Sequence, residues 1–289
     1  MKSFLKKIYS ILPFKKQFFL LIKPLGIPHS IYQHLHFKDT FTIKLNGKSF
    51  LMKHYGFQLE NDIFWSGITN GWEKISIGLW IELCKESNVI IDVGANTGVY
   101  SLIAKTINYN SSVYGFEPVK RVFEKYQQNC ELNTLDIKCS EIALSNYDGE
   151  AVIFDTPTEH TYSVTVNKNT TAIGSDTVET KIKTKKLSTF IKENNLLNID
   201  LIKIDVETHE AEVLEGMEDY LQKFKPTLLI EILNEEVGNK VQSIIEGIDY
   251  LYFNIDEINT PKKVDKLKKS DFYNYLICKK EIAQKLNLI

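Results

Sequence analysis

One short segment of the chain, residues 92–98 (Asp-Val-Gly-Ala-Asn-Thr-Gly), has the residue types of a ligand-binding turn. Asp92 closes an apolar run, and Gly94 and Gly98 flank the turn into a predicted helix. Glycine lets backbone approach a ligand closely, and the N–H groups at a helix N-terminus attract an anion. The G-x-G-x-x-G spacing of dinucleotide-binding folds is absent. We expect a small ligand whose carboxylate meets the helix end, with Asp92 serving an ammonium group.

A second acidic residue stands where a ribose would need it. Glu117 directly follows the next predicted strand, 25 residues after Asp92, and Pro118 then starts a helix with a fixed φ. A carboxylate in that place can accept hydrogen bonds from both ribose hydroxyls. A helix-terminal acid favoured by the helix dipole is the alternative interpretation. S-adenosylmethionine carries a carboxylate, an ammonium group and a ribose, so the two elements together favour it as the ligand.

The end of the fourth predicted core strand holds residues that could act on a methyl acceptor. Asp205 and Glu207 alternate and therefore share one face of the strand, and His209 follows at the start of a helix. A hydroxyl is a poor nucleophile, so a base that removes its proton assists methyl transfer, and histidine titrates near neutral pH. We interpret these three residues as catalytic candidates. Glu210 and Glu212 are expected to lie in a solvated first helical turn.

The same carboxylates leave two further interpretations open. Asp205 and Glu207, with Glu231 at the end of the fifth strand, could hold Mg²⁺ or Ca²⁺ through oxygen ligands. We do not expect a metal, because carboxylates at strand ends are common. Trp72, Glu73 and Glu231 are candidates for binding the acceptor, since sugars stack on aromatic faces and donate hydroxyl hydrogen bonds. Core packing is the alternative for the Trp72–Glu73 pair.

The order of the predicted elements places these residues at one edge of a sheet. Such βα alternation predicts a doubly wound α/β fold with a seven-stranded, mostly parallel sheet that binds ligands at the carboxyl ends of its strands. Residues 146–185 break the alternation and predict an antiparallel insertion. The predicted strands cover residues 89–93, 113–116, 137–144, 201–206, 227–232, 250–254 and 273–278.

Residues 1–75 are predicted to form an N-terminal extension to a main domain at 76–289. A β-hairpin is expected around Asn46-Gly47. Residues 1–25 hold six lysines and no acidic residue, the first of which is Asp39, and apolar residues between 4 and 12 follow helical spacing. Residues 1–25 therefore predict a basic amphipathic segment that can contact an anionic membrane surface, with packing against the main domain as the alternative. The apolar run at 18–22 is too short to cross a bilayer.

Composition argues weakly against a polyanionic substrate. The chain has 35 basic and 37 acidic residues and a net charge of −2, whereas nucleic-acid enzymes usually show a basic excess. The four cysteines are widely spaced without a C-x-x-C pair, which predicts neither a zinc site nor a disulfide framework. We therefore expect buried free thiols in a cytoplasmic protein, with the basic segment as the part that would contact the inner face of the membrane.

In series, these motifs resemble the FkbM family of class I methyltransferases. The resemblance covers roughly residues 70–235 and rests on residues 90–98, Phe116-Glu117-Pro118, Ala143-Leu144-Ser145, Asp148-Gly149, residues 202–207 and Glu215-Gly216. It implies a Rossmann-like methyltransferase fold, S-adenosylmethionine as the donor, and O-methylation of a sugar, glycan or secondary metabolite. The cofactor contacts expected from it are Asp92, Gly94, Asn96, Gly98, Glu117, Pro118, Glu141, Ala143 and Asp205.

One residue departs from the family pattern. Thr208 stands where the family usually has a glycine after Asp-Val-Glu. If that position uses a positive φ, a β-branched residue is expected to change the turn.

Two other function classes stay open beside O-methylation of a small acceptor. An RNA ribose methyltransferase is one. Base methylation is disfavoured, because the chain lacks both the Asn/Asp-Pro-Pro-aromatic motif of amino-methylating enzymes and a Pro-Cys nucleophile. A non-catalytic scaffold that keeps the adenosyl pocket is the other.

Overall fold

The computed structural model describes residues 13–155 and 178–289. By its internal contacts the chain divides into two compact units, Met1–Trp72 and Glu73–Ile289. The amphipathic helix predicted between residues 4 and 12 lies outside the described residues, as does the Thr-rich part of the predicted insertion.

The N-terminal unit is built around the predicted β-hairpin. Strand β1 (Asp39–Leu45) pairs antiparallel with β2 (Lys48–His54), and both residues of the Asn46-Gly47 turn have positive φ. Alternate residues of each strand are buried, which is the pattern of a sheet with one face in the core. Among the described residues, the helices of this unit are α1 (Lys15–Ile22), a 3-10 helix (Lys23–Leu25), α2 (His29–Tyr32) and α3 (Gln58–Ser66). We did not predict α3, whose apolar residues crowd into its last turns.

The second unit contains the large sheet. The strands that the structure describes in this unit are β3 (Val89–Val93), β4 (Ser112–Phe116), β5 (Ile137–Ser140), β6 (Ala143–Ser145), β7 (Gly149–Asp155), β8 (Val178–Lys186), β9 (Leu201–Ile204), β10 (Thr227–Glu231), β11 (Tyr250–Asn254), β12 (Lys262–Val264) and β13 (Asn274–Lys279). The order across the sheet is β12-β11-β13-β10-β9-β3-β4-β5. The strands from β10 to β5 are all parallel, and β13 runs antiparallel to both of its neighbours. The predicted Rossmann-like α/β fold is confirmed.

Two details of the predicted sheet were wrong. The sheet has eight strands within the described residues, because the three-residue β12 is too short and polar to show a strand pattern. The strand predicted at 137–144 is two strands in different sheets, since the chain leaves the large sheet after Ser140. The strands β6, β8 and β7 form a separate sheet in which β7 and β8 pair antiparallel as predicted, but β6 pairs parallel with β8.

Helices alternate with the parallel strands as the pattern predicted. They are α4 (Lys74–Cys84), α5 (Val99–Ile107), α6 (Lys120–Leu132), α7 (Leu187–Glu193), α8 (Glu210–Glu215), α9 (Asp219–Phe224), α10 (Glu235–Ile244) and α11 (Lys280–Lys285). Trp80 of α4 fixes the helix that follows the glycine turn, because its Nε1 donates to the Tyr100 carbonyl at 3.0 Å. Within the described ranges, no helix has both the length and the apolarity required to span a membrane.

Candidate active site

The turn between β3 and α5 accommodates only glycine at two positions. Gly94 and Gly98 have φ of 75° and 89°, a region that side chains rarely adopt. A Cβ on Gly94 would lie 1.9 Å from the Asp205 carbonyl oxygen, and one on Gly98 would lie 2.2 Å from the Tyr126 ring. The turn is therefore pressed against the end of β9 on one side and against α6 on the other.

The Glu117 carboxylate joins this turn to the start of α6. One of its oxygens accepts from the Asn96 N–H at 3.1 Å, and the other accepts from the Val119 N–H at 2.9 Å. Burial raises the pKa of Glu117 to about 7, although both N–H donors act in the opposite direction. A carboxylate oxygen has a second lone pair, so each can still accept from a hydroxyl. Pro118, between the carboxylate and α6, is partly buried.

Asp92 lies at the bottom of the turn with one oxygen unsatisfied. Its Oδ2 accepts from Ser101 Oγ at 2.6 Å, and Tyr126 donates to the same Ser101 Oγ at 2.8 Å. Its Oδ1 is buried and has no hydrogen-bond partner among the described residues. Burial raises the pKa of Asp92, and the charge of Lys203 opposes that rise. A buried acceptor without a donor is costly, which makes it a natural partner for a ligand N–H.

Lys203 is the functional candidate that sequence reasoning missed. It is the cross-strand neighbour of Asp92, it is buried, and its Nζ donates to Asp205 Oδ2 at 2.8 Å. The same ammonium lies 4.5 Å from the centroid of the Tyr100 ring. Burial favours its neutral form, but the charges of Asp205, Glu73 and Asp92 outweigh burial and raise the pKa of Lys203. Lys203 is therefore a buried cation among carboxylates.

A signal for Lys203 was present in the sequence. Strands of a parallel sheet that are covered on both faces are expected to be continuously apolar, and β9 is buried at every position. A lysine inside such a run needs a partner, because lysine is almost never buried unpaired. The run Leu201-Ile202-Lys203-Ile204 therefore indicated a buried ion pair.

Glu73, predicted to bind the acceptor, belongs to the same charged cluster. It precedes α4 with a φ of 44°, and it accepts a hydrogen bond from the Tyr100 hydroxyl at 2.5 Å. Burial raises the pKa of Glu73, and the charge of Lys203 acts against that rise. Trp72 is the last residue of the N-terminal unit, so its role in acceptor binding stays a prediction.

Glu231 extends this cluster to the end of β10. Burial and then the negative charges of Asp205 and Glu207 raise the pKa of Glu231 to about 9. The charges of Asp205 and Glu207, the other two residues considered as metal ligands, thus act on Glu231. In the part of the chain that the structure describes, no group of three or more His, Cys, Asp or Glu side chains is arranged to hold a metal ion.

His209 lies in a different environment from the Asp205 cluster. Its Nε2 is 3.0 Å from Ser145 Oγ in β6, and its Nδ1 is 3.6 Å from Glu212 Oε2. Burial lowers the pKa of His209, and the charges that counter this effect belong to Glu212 and Glu215. Burial of the imidazole between β6 and α8 therefore favours its neutral form, which is the form that a base requires.

The prediction that Glu210 is solvated was wrong. Its side chain is completely buried, and its Oε1 accepts from the N–H groups of Val206 and Thr208, both at 3.2 Å. These bonds close a turn in which Glu207 and Thr208 have φ of 53° and 81°. The turn therefore uses a positive φ at the position where the family has glycine, and Thr208 adopts it despite its branched side chain. Glu212 is partly exposed, closer to what we expected.

Two further predicted cofactor contacts, Glu141 and Ala143, lie where the chain passes from the large sheet to the sheet formed by β6, β7 and β8. Glu141 is exposed between β5 and β6. Ala143 opens β6 and packs against a small apolar cluster that includes Val119 of the Glu117 segment. Both assignments stay predictions.

The fold and the glycine turn are those of a Rossmann-like class I methyltransferase. The chain belongs to the methyltransferase FkbM domain family, whose sequence profile matches residues 92–258. It is 26% identical over 166 residues to Methyltransferase 1 of Beauveria bassiana, a match that covers 52% of this chain and 67% of that protein. It is 28% identical over 152 residues to the hexuronic acid methyltransferase AglP of Haloferax volcanii, covering 52% of this chain and 58% of that protein.

Among solved structures, the methyltransferase FkbM from Methylobacillus flagellatus KT is similar at 14% identity with a TM-score of 0.41. That match covers 66% of this chain and 43% of the other.

Replacement of Gly98 by alanine is expected to destabilise the fold. The added methyl group meets the Tyr126 ring, and φ at this position is 89°, so we expect a loss of about 2 kcal/mol or more in the free energy of unfolding. Gly78→Ala is the matched control, since a Cβ there meets nothing within 4 Å and lies inside α4. The control is expected to gain up to about 1 kcal/mol. Urea unfolding measures both, and equal stabilities would contradict the geometry of the turn.

Thr208→Gly is expected to stabilise the chain. A β-branched residue at a φ of 81° is strained, and removing that strain is worth more than the extra freedom glycine has in the unfolded state. We expect a net gain of about 1 kcal/mol in thermal or urea unfolding. Thr42→Gly, at an exposed position of β1 without a positive φ, is the control and should lose stability. A loss in both variants would show that the turn is unstrained.

Glu210→Gln is expected to change how stability depends on pH. Burial raises the pKa of Glu210 from 4.5 to about 7, so between these values the folded carboxyl binds more protons than the unfolded one. The free energy of unfolding of the wild type therefore falls as the pH rises from 4.5 to about 7. The amide cannot ionise, so the variant escapes a loss on the order of 2–3 kcal/mol.

Urea unfolding of both proteins at several pH values tests this expectation. Glu235→Gln, at an exposed position in the first turn of α10, is the control and should follow the wild type. Parallel pH profiles for Glu210→Gln and the wild type would refute the assignment.

Proposed function

We propose that this chain is an S-adenosylmethionine-dependent O-methyltransferase that acts on a hydroxyl of a sugar, glycan or secondary metabolite. The observation that carries the proposal is the buried, unpartnered Oδ1 of Asp92 beside the glycine turn. Membership in the FkbM methyltransferase family supports the reaction class.

The residues around the turn fit the donor's polar groups. The N-terminus of α5, a helix of nine residues, suits the donor's carboxylate, because its first-turn N–H groups have no partner within the helix. Asp92 Oδ1 can accept from the ammonium group, directly or through water. Glu117, fixed by two backbone N–H groups, can accept from the ribose hydroxyls. When bound, S-adenosylmethionine supplies a methyl group on a positively charged sulfur.

The charge balance of the site also favours a cationic donor. Lys203 is the cation that contacts Asp205, while the carboxylates of Glu73 and Asp92 also act on it. One ammonium cannot neutralise three carboxylates if all are ionised. A ligand with an ammonium and a sulfonium group lowers that excess of negative charge, which is more effective in a buried site than in water.

The acceptor hydroxyl must lose its proton as the new C–O bond forms. Asp205 is partly exposed at the end of β9, so its free oxygen can accept a hydrogen bond from the acceptor and hold it in line. Glu207 lies in the following turn, and Glu231 is the last residue of β10. We propose that Asp205 and Glu207 orient the acceptor and that neutral His209 is the base that takes the proton.

A sugar is the favoured acceptor among the open classes. The relative from Haloferax volcanii is named a hexuronic acid methyltransferase, which supports a glycan or sugar hydroxyl for this chain. Glu73 and Glu231 are the proposed acceptor-binding carboxylates. The four free cysteines suit a reducing compartment, and we propose the cytoplasm.

Asp92→Asn is expected to weaken donor binding at least about tenfold, because it replaces an anionic acceptor with a neutral amide facing an ammonium group. Calorimetric titration with S-adenosylmethionine measures the effect. Asp265→Asn, an exposed residue remote in sequence from the turn, is the control and should bind as the wild type does. Unchanged affinity in Asp92→Asn would remove the central element of the proposed site.

Transfer of a labelled methyl group to an added acceptor tests the reaction itself. Purified protein with labelled donor is expected to label a sugar or glycan fraction and not RNA. Glu207→Gln should retain donor affinity but lose turnover, which separates an enzyme from a scaffold. Label that appears only in RNA, or donor binding without any transfer, would contradict O-methylation of a sugar.

A further inference from the structure

Large apolar side chains are exposed on the first helix of the N-terminal unit and on the residues that flank it. Phe14, Phe18, Leu21 and Leu25 follow one another at intervals of four, three and four residues, and all four are exposed. We call these four residues the apolar face. We propose that this face docks the protein on the surface of an anionic lipid bilayer.

The apolar face is held outward by an internal anchor. Phe19 of α1 is buried, and its ring centroid lies 5.3 Å from that of Trp65 in the aromatic core of the unit. The exposed fractions of Phe14, Leu21 and Leu25 are 75%, 77% and 75%. A contiguous set of large exposed apolar side chains marks an interaction surface rather than chance exposure.

Basic side chains border the apolar face. A cavity of about 290 Å³ is lined by Phe14 and Phe37 together with Lys15, Lys16 and Lys38. Asp39 also lines the cavity and is paired with Lys16 at 3.1 Å, so the lining contains three lysines and one carboxylate. The cavity therefore offers positive charge to a phosphate directly beside the side chains that would enter the acyl region.

This combination identifies a bilayer as the occupant. In an anionic leaflet, the lysines would contact the headgroups, and the large apolar side chains beside them would enter the acyl layer. A symmetric dimer through the same face would place two clusters of lysines in one interface, where like charges repel each other. Residues 1–38 contain no acidic residue, and the carboxylate of Asp39 is paired with Lys16.

Flotation of the full-length protein with lipid vesicles tests the proposal. The wild type is expected to float with vesicles of phosphatidylcholine and phosphatidylglycerol, to float far less with phosphatidylcholine alone, and to be released by salt. The variant with Phe14→Ser, Leu21→Ser and Leu25→Ser should bind the anionic vesicles at least about tenfold more weakly. Lys15→Gln with Lys38→Gln should weaken binding and reduce its dependence on salt.

Matched controls separate this face from general surface hydrophobicity and charge. Tyr109→Ser, Leu197→Ser and Ile258→Ser together remove side chains that are 67%, 91% and 70% exposed elsewhere, and should leave flotation unchanged. Lys266→Gln with Lys269→Gln is the corresponding charge control. Circular dichroism and melting temperature verify that every variant is folded.

Three outcomes would overturn the proposal. They are equal flotation with neutral and anionic vesicles, undiminished flotation of the serine variant, and a wild-type dimer that the serine variant dissociates. The last outcome would assign the face to a second copy of the chain. Donor titration is independent of all three, so a failure here leaves the proposed methyl transfer to be judged separately.

Discussion

The site depends on one ion pair, between the buried Lys203 of strand β9 and the partly exposed Asp205 that follows this strand. Lys203 is enclosed by the central sheet, and its charge is compatible with burial only because carboxylates surround it. The positive charge of Lys203 also offsets the negative charges of Asp92 and Glu73. The acidic edge of the sheet can therefore exist in a folded protein and still retain enough negative charge to attract a cationic ligand.

The second constraint is the turn that follows Asp205. The side chain of Glu210, the first residue of α8, accepts hydrogen bonds from two backbone N–H groups. These bonds close a turn with positive φ at Glu207 and Thr208. The residues after this turn bring His209 Nε2 to 3.0 Å from Ser145 Oγ. Backbone strain at Thr208 is thus retained beside the residues proposed to handle the acceptor, a common place for strain in proteins.

The sequence predicted what local patterns determine. Apolar runs located the parallel strands, and the spacing of Gly94 and Gly98 located the turn, because backbone clearance permits no other residue there. The pairing of strands that are distant in the sequence was harder to predict. Nothing local distinguishes β5 from β6, since the change of sheet occurs within a continuous polar-apolar pattern. Glu210 was misjudged because a first-turn acid is ordinarily solvated, and only the fold turns it inward. The family profile supports the reaction class, and the site residues rest on geometry alone.

The central claim is that Asp92 and Glu117 receive the ammonium group and the ribose of one adenosyl ligand. A crystal structure of the protein with bound S-adenosylhomocysteine tests it most directly, because this product retains both groups. The account predicts that the ligand's amino group lies within hydrogen-bond reach of Asp92 Oδ1, directly or through one water, and that both ribose hydroxyls donate to Glu117. A ligand bound elsewhere, or a ribose that does not contact Glu117, would contradict it.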